Sequence, residues 1–261
     1  MSTKVIDISY HNGAIDFSKV KGFTDNIIIR CGYGSNITSQ DDKMFDTYMK
    51  NAIANNFRIS LYLYSYASNT SDALSEAEHV LRLYKKYSYY DKLSKIVWYD
   101  LEEERYKSVS RETFITFATR INSAGLVAGL YTGDSYYRTS KLSEITIGTP
   151  IWAARYGNND GTMAGSKKPS YIKKYCLWQY TSNAKIAGMN GTVDVSEIMD
   201  DSWFISNNQP TPEKEMTVDD AIEILHKNNV IASPEYWYNA VKIVNYLGAL
   251  LVNMAKEFDN G

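Results

Sequence analysis

Ile96-Val97-Trp98-Tyr99-Asp100-Leu101-Glu102 is the stretch on which the fold turns, an apolar and aromatic run closed by two carboxylates. Its length and composition are those of a buried strand. Working outward, short apolar runs of the same kind recur at 5–9, 27–31, 59–66, 126–131, 151–154 and 175–180, while 41–55, 71–87 and 110–123 carry helical spacing. Strands alternating with helices predict a mostly parallel sheet. After Ile151 the helical patterns fade, so loops are expected to join the last strands. A TIM-like α/β barrel, with eight strands and fewer helices, fits a segment of about 200 residues better than an open sheet.

The whole chain has 261 residues, 44% of them hydrophobic and 22% charged, enough for one large barrel or two ordinary domains. A formal net charge of -2 provides no basic field, so neither nucleic acid nor an anionic membrane surface is expected as a partner. The opening Met1-Ser2-Thr3-Lys4-Val5-Ile6-Asp7 lacks the apolar stretch of a signal peptide, and no segment could span a bilayer. Synthesis and folding in a cytoplasm are the expectation. Cys31 and Cys176 each sit inside an apolar run, which favours buried reduced thiols over a disulfide. His11, His79 and His226 lie far apart and outside any H-E-x-x-H or C-x-x-C setting, so no metal is expected. The phosphate-binding glycine loops of nucleotide enzymes are absent as well.

Composition breaks at Ser206-Asn207-Asn208-Gln209-Pro210-Thr211-Pro212. The expected organisation is a barrel over 1–205, an extended linker over 206–216 and a small two-helix region over 217–261. Thr217 with Asp220 forms a variant capping box, followed by Val218, Ile222 and Leu225 on one face. Ser233-Pro234 opens the second helix, which continues through Trp237, Val241, Val244, Leu247, Leu251 and Met254. Two helices of this size cannot bury so much apolar surface alone. The tail is therefore expected to pack on the barrel, self-associate or dock on a partner.

In parallel barrels the reacting groups collect at the carboxyl ends of strands. Asp7 follows the first strand, Asp100 and Glu102 end the fourth, and Asp194 is expected near the end of the last. Side chains two apart on a strand share a face, so Asp100 and Glu102 repel and one of them keeps its proton more easily. One acid that donates a proton beside one anion that steadies positive charge is what glycoside hydrolysis requires. A D-x-E triplet by itself reads equally well as a solvated strand end. First and last strands are neighbours in a closed barrel, which brings Asp7 and Asp194 to the same mouth.

At these residues the chain resembles the glycoside hydrolase family 25 lysozymes, muramidases found among phage endolysins and bacterial autolysins. The matching pieces are Asp7-Ile8-Ser9 with Asn12-Gly13, Asp100-Leu101-Glu102, Leu130-Tyr131, Ile151-Trp152-Ala153-Ala154-Arg155-Tyr156, Trp178-Gln179-Tyr180 and Gly191-Thr192-Val193-Asp194, in family order over roughly 4–200. The resemblance implies hydrolysis of the β-1,4 bond from N-acetylmuramic acid to N-acetylglucosamine in peptidoglycan, with no metal or cofactor. It implies an endolysin made in the host cytoplasm that acts on the cell wall. Glu102 matches the family's general acid, Asp100 the aspartate beside it, and Asp7 and Asp194 the outer acidic pair. Whether Asp100 works by orienting the substrate's N-acetyl group or by a water-mediated route stays open.

Substrate contacts carried over with these acids are Tyr62, Tyr131, Arg30, Tyr64, Trp152 and Trp178. Arg30 reads equally as a cleft residue or as half of a salt bridge inside the barrel. Ser60 stands where the family often has glycine, and no histidine follows Tyr62. The tail resembles the short helical tails of some phage endolysins, which suggests wall targeting or homo-oligomerisation through the C-terminal helices. Two other classes compete. A glycan-binding barrel without catalysis would have a damaged acid pair, and a chitinase-like enzyme would show a D-x-x-D-x-D-x-E strand that is absent here.

Overall fold

A computed structural model describes residues 3–144, 148–206, 217–241, 251, 252 and 255. Eight strands close into a barrel in chain order: β1 (Lys4–Ile8), β2 (Asn26–Tyr33), β3 (Arg58–Tyr64), β4 (Leu93–Asp100), β5 (Val127–Gly133), β6 (Ile151–Ala154), β7 (Leu177–Ala184) and β8 (Val193–Ile198). β1 to β7 run parallel, and β8 is antiparallel to both β7 and β1. Five helices accompany the barrel among the described residues: α1 (Phe17–Val20), α2 (Phe45–Ala54), α3 (Thr70–Lys85), α4 (Ser110–Ser123) and α5 (Asp134–Thr139). The α/β barrel expected from the strand rhythm is present, with fewer helices than strands. Loops alone join β6 to β7 and β7 to β8, where helical spacing fades in the sequence.

Period-two alternation sorts the strand residues into two layers. Ile6, Ile27, Ile29, Leu61, Leu63, Val97 and Tyr99 face outward and pack beneath the helices with Met49, Val80, Leu83, Phe114 and Phe117. Val5, Ile28, Ile96, Trp98, Tyr131, Trp152 and Leu177 fill the barrel interior. Gly129 is required for this filling: a Cβ there would lie 2.5 Å from Trp98 Cε3, so only a glycine on β5 lets the indole cross the barrel. The interior is thus plugged by aromatic rings below the mouth, and polar inward positions occur above them.

One strand expectation needs correction. Asp194 stands at the start of β8, second in the strand, and not near its end. The segment between β7 and β8 is too short for a helical crossover, so the chain turns back and β8 runs antiparallel. Its first residues therefore reach the rim where the other strands finish, and Asp7 pairs directly with Asp194.

The chain divides into two compact units, Met1–Thr211 and Pro212–Gly261. In the second, α6 (Val218–Lys227) starts with the expected capping box: Thr217 Oγ1 accepts from Asp220 N–H at 3.1 Å while Asp220 Oδ2 accepts from Thr217 N–H at 3.0 Å. α7 (Pro234–Ala240) has proline in its first turn. Ala221, Ile222, Leu225, Ile231, Leu251 and Ala255 form a small buried cluster with Trp237 and Val241 against it. Of the remaining apolar positions expected on this helix, Val244, Leu247 and Met254 lie outside the described residues, as does most of the linker, 207–216. Ser206 belongs with the barrel, its hydroxyl donating to Asp91 O at 3.0 Å.

Candidate active site

The site is built on a register row across the barrel mouth. Tyr33 pairs with Tyr64, Tyr64 with Asp100, and Asp100 with Tyr131, placing four side chains shoulder to shoulder on β2 to β5. Asp100 is 4% exposed, and its Oδ1 has no hydrogen-bond partner within the protein. β4 ends at Asp100, so Glu102 stands two residues beyond the strand, exposed at the rim. It borders a cavity of about 380 Å³ lined also by Tyr131, Tyr136, Ala154, Arg155 and Tyr156.

Across the mouth, Asp7 and Asp194 share a hydrogen bond between their carboxyls. Gln179 on β7 joins this pair to the aromatic wall. Its Nε2 donates to Asp7 Oδ2 at 2.9 Å and Asp194 Oδ2 at 3.4 Å. Its Oε1 accepts the hydroxyls of Tyr131 at 2.8 Å and Tyr156 at 2.6 Å. Two phenol donors on the oxygen fix the amide orientation, so the nitrogen must face the acids.

Every carboxyl of the cluster is held above its ordinary range. Burial is the first cause for Asp7, followed by the charge of Asp194. Burial leads for Asp100 as well, followed by Glu102 and Asp7, with Arg30 pulling the other way. Loss of water from around Glu102, then the charges of Asp194 and Glu103, raise that carboxyl too. Asp194 is pushed up to about 6, chiefly by burial. Asp100 and Glu102 oppose each other's charged form. In the empty cleft the four acids cannot all ionise freely, so as a group they hold protons to higher pH than free carboxyls do.

These shifts set the pH dependence of stability. A carboxyl whose folded pKa exceeds its unfolded value of about 4 binds protons more tightly in the folded state. Its contribution is complete below pH about 4 and is lost as pH rises through the folded pKa, which for Asp194 means by about 6. The melting temperature is expected to rise as pH falls from 8 to 5, by a few degrees or about 2–6 °C. Calorimetry checks this, and Asp194→Asn should shrink the rise. A flat profile would mean that the cluster is not desolvated. Below pH about 4 the trend reverses, because Asp41 and Asp134 are held low by their donors and lose those bonds on protonation.

The residues expected to contact substrate fall into two groups. Tyr62, Tyr64, Tyr131 and Arg30 lie on inward positions at or just below the mouth, and the charges of Asp7 and Asp100 both act on Tyr62 and Tyr131. Arg30 takes the salt-bridge alternative: its Nε donates to Asp42 Oδ2 at 2.8 Å, while its Nη2 is buried without a partner. Trp152 and Trp178 depart from expectation. Trp152 is 1% exposed, wedged between Tyr131, Trp98 and Tyr62, with Nε1 donating to Ser196 Oγ at 2.8 Å, and forms the floor. Trp178, 3% exposed, alternates to the outer layer between Leu177 and Gln179 and donates to Arg155 O at 3.0 Å. Neither ring has a face open to a sugar.

Gln179 and Tyr156 lie inside the matching motif pieces with no role of their own expected, and Asp42 lies outside them. A buried glutamine two residues after inward Leu177 was the available signal for the first. Among the described residues no group of three or more His, Cys, Asp or Glu is arranged to hold a metal ion.

Residues 6–189 match the family described as glycosyl hydrolases family 25. The chain belongs to glycosyl hydrolase family 25. That match stops just before Asp194, the residue the barrel itself returns to the family 25 mouth. An autolytic lysozyme of Clostridium acetobutylicum is 27% identical over 197 residues, which are 74% of this chain and 55% of that protein. The chain thus spans about half the length of the curated relative it matches. The catalytic domain of endolysin ply40 from bacteriophage P40 of Listeria monocytogenes superposes with a TM-score of 0.68 at 28% identity, covering 77% of this chain and 95% of that one. The modular autolysin LytC of Streptococcus pneumoniae, solved with a synthetic peptidoglycan ligand, gives 0.60 at 29% identity, covering 74% and 46%.

Proposed function

We propose that this chain is a peptidoglycan hydrolase of lysozyme type that cleaves the β-1,4 bond from N-acetylmuramic acid to N-acetylglucosamine. Glu102 is the general acid and Asp100 its partner carboxylate, with Asp7 and Asp194 tuning the charge of the cleft. One observation carries the reading: a buried carboxyl and a rim carboxyl stand together at the end of β4, both held above their ordinary range. The lysozyme, endolysin and autolysin relatives support the same substrate.

Substrate sets the protonation roles of the two acids. A sugar lying over Glu102 strips its remaining water and raises it further, favouring the acid form. Positive charge growing at the anomeric carbon beside Asp100 lowers that group and favours the anion. Glu102 then protonates the glycosidic oxygen while Asp100 steadies the oxocarbenium-like centre or the acetamido group that shields it. Digestion of purified peptidoglycan, followed by borohydride reduction and mass analysis, tests the bond assignment. Reduced muramic acid ends support it; reduced glucosamine ends mean that the other bond is cut.

For the region over 217–261 the proposed role is wall targeting or self-association, supported by its forming a compact unit separate from the catalytic one. Removing 210–261 is expected to weaken sedimentation with cell walls or to lower the oligomeric state seen by light scattering. No change in either would overturn that role.

A further inference from the structure

Glu76 lies on α3, outside the acid cluster, and is 1% exposed. A carboxylate is rarely buried unless donors occupy its oxygens. Here Oε1 accepts the Tyr66 backbone N–H at 2.8 Å, and Oε2 accepts the Ser65 hydroxyl at 2.8 Å together with the Tyr99 hydroxyl. The Ser65 and Tyr99 hydroxyls are themselves 2.9 Å apart. Tyr99 is locked from the other side by face-to-face stacking on Phe117, 3.9 Å between centroids. Burial raises the Glu76 carboxyl to about 7 against the pull of these donors.

All three partners sit where β3 and β4 leave the barrel. Ser65 N–H donates to Asp100 O at 3.0 Å, and Tyr64 is the register partner of Asp100. Just beyond, Tyr66 is 39% exposed, its ring 5.0 Å from Tyr64 and 6.0 Å from Tyr33. The Arg105 guanidinium lies 5.4 Å from its centroid and pairs with Glu103, next to Glu102. Glu76 thus fastens from below a short aromatic edge that continues the catalytic row outward. Flat tyrosine rings at the mouth of a polysaccharide cleft match the C–H face of a pyranose.

We propose that Glu76 is a positioning residue that holds Tyr64 and Tyr66 as a glycan-contacting edge of the cleft, its occupant a pyranose ring of the peptidoglycan strand. This rests on the reading of the site as a peptidoglycan glycosidase. The outer, Tyr66 end of the edge binds glycan away from the reacting bond, so its loss acts on KM and leaves kcat.

The test uses the full chain and soluble, peptide-free glycan strands. Tyr66→Ala is expected to raise KM about five- to twentyfold with kcat within about threefold. Glu76→Leu should raise KM to the same extent, and the double variant should be no worse than either single one, because both remove one element. Glu76→Gln should restore KM, since its oxygen still accepts the Tyr66 N–H and its amide donates to the Ser65 and Tyr99 oxygens. An unchanged KM in Tyr66→Ala, or a fall in kcat alone, overturns the proposal, also where Glu76→Leu does not fold. If the wild type releases no reducing ends, the glycosidase reading fails separately. Binding of glycan strands to the Glu102→Gln protein with and without Tyr66→Ala then decides the edge, equal affinities overturning it.

Discussion

Glu102→Gln is expected to lower the rate of reducing-end release from purified peptidoglycan by about two to four orders of magnitude. Glutamine keeps the shape and hydrogen-bonding reach of the side chain but has no proton to give the leaving oxygen. The effect should fall on kcat, with KM within about threefold, because the lost interaction is one made only as the bond breaks. Stability at neutral pH should not fall, since glutamine removes a carboxylate whose charge burial and the neighbouring acids oppose. A glutamine variant with wild-type rate would end the assignment. One that is inactive because it is unfolded would show as a lost melting transition.

Asp100→Asn should be nearly as damaging to activity, by about two to three orders of magnitude, while making the protein more stable. The carboxyl is buried, its Oδ1 lacks a partner, and Glu102 and Asp7 both repel its charged form. Asparagine removes that charge and keeps the volume. The folded pKa is raised, so the cost of the carboxylate is small at low pH, where it is protonated, and grows as pH rises through that value. The gain in melting temperature should therefore be larger at pH 8 than at pH 5, of the order of 2–4 °C at the higher pH. Thermal denaturation of both proteins at the two pH values checks this. A variant less stable than wild type at pH 8 would show that the charge is better compensated than the burial implies. The opposite signs in rate and stability separate a reacting carboxylate from a structural one.

The barrel and its acids were legible in sequence because both depend on local pattern. Apolar runs such as Ile27 to Cys31 and Ile96 to Tyr99 can only be buried strands, and the acids at their ends can only meet where parallel strands finish. The Thr217–Asp220 cap was readable for the same reason, since four consecutive residues contain the whole interaction. Period-two alternation alone would have turned Trp178 outward, although its place in a family motif suggested a sugar platform.

What stayed hidden depends on distant segments meeting. The direction of β8 decides that Asp194 opens a strand rather than ending one, and no residue within it records that choice. Trp152 is inward by alternation, yet only the closing of the barrel over Trp98 and Tyr131 makes it a floor. The amide of Gln179 reads its orientation from Tyr131 and Tyr156, at separations of 48 and 23 residues, and from Asp7, 172 residues away. Local sequence determined which residues form strands and that acids would stand at their ends, because backbone and side-chain periodicity act over a few residues. The tertiary structure decided which acid is buried, which charges oppose one another and which rings face the cleft, because desolvation and charge coupling are properties of the space the strands enclose.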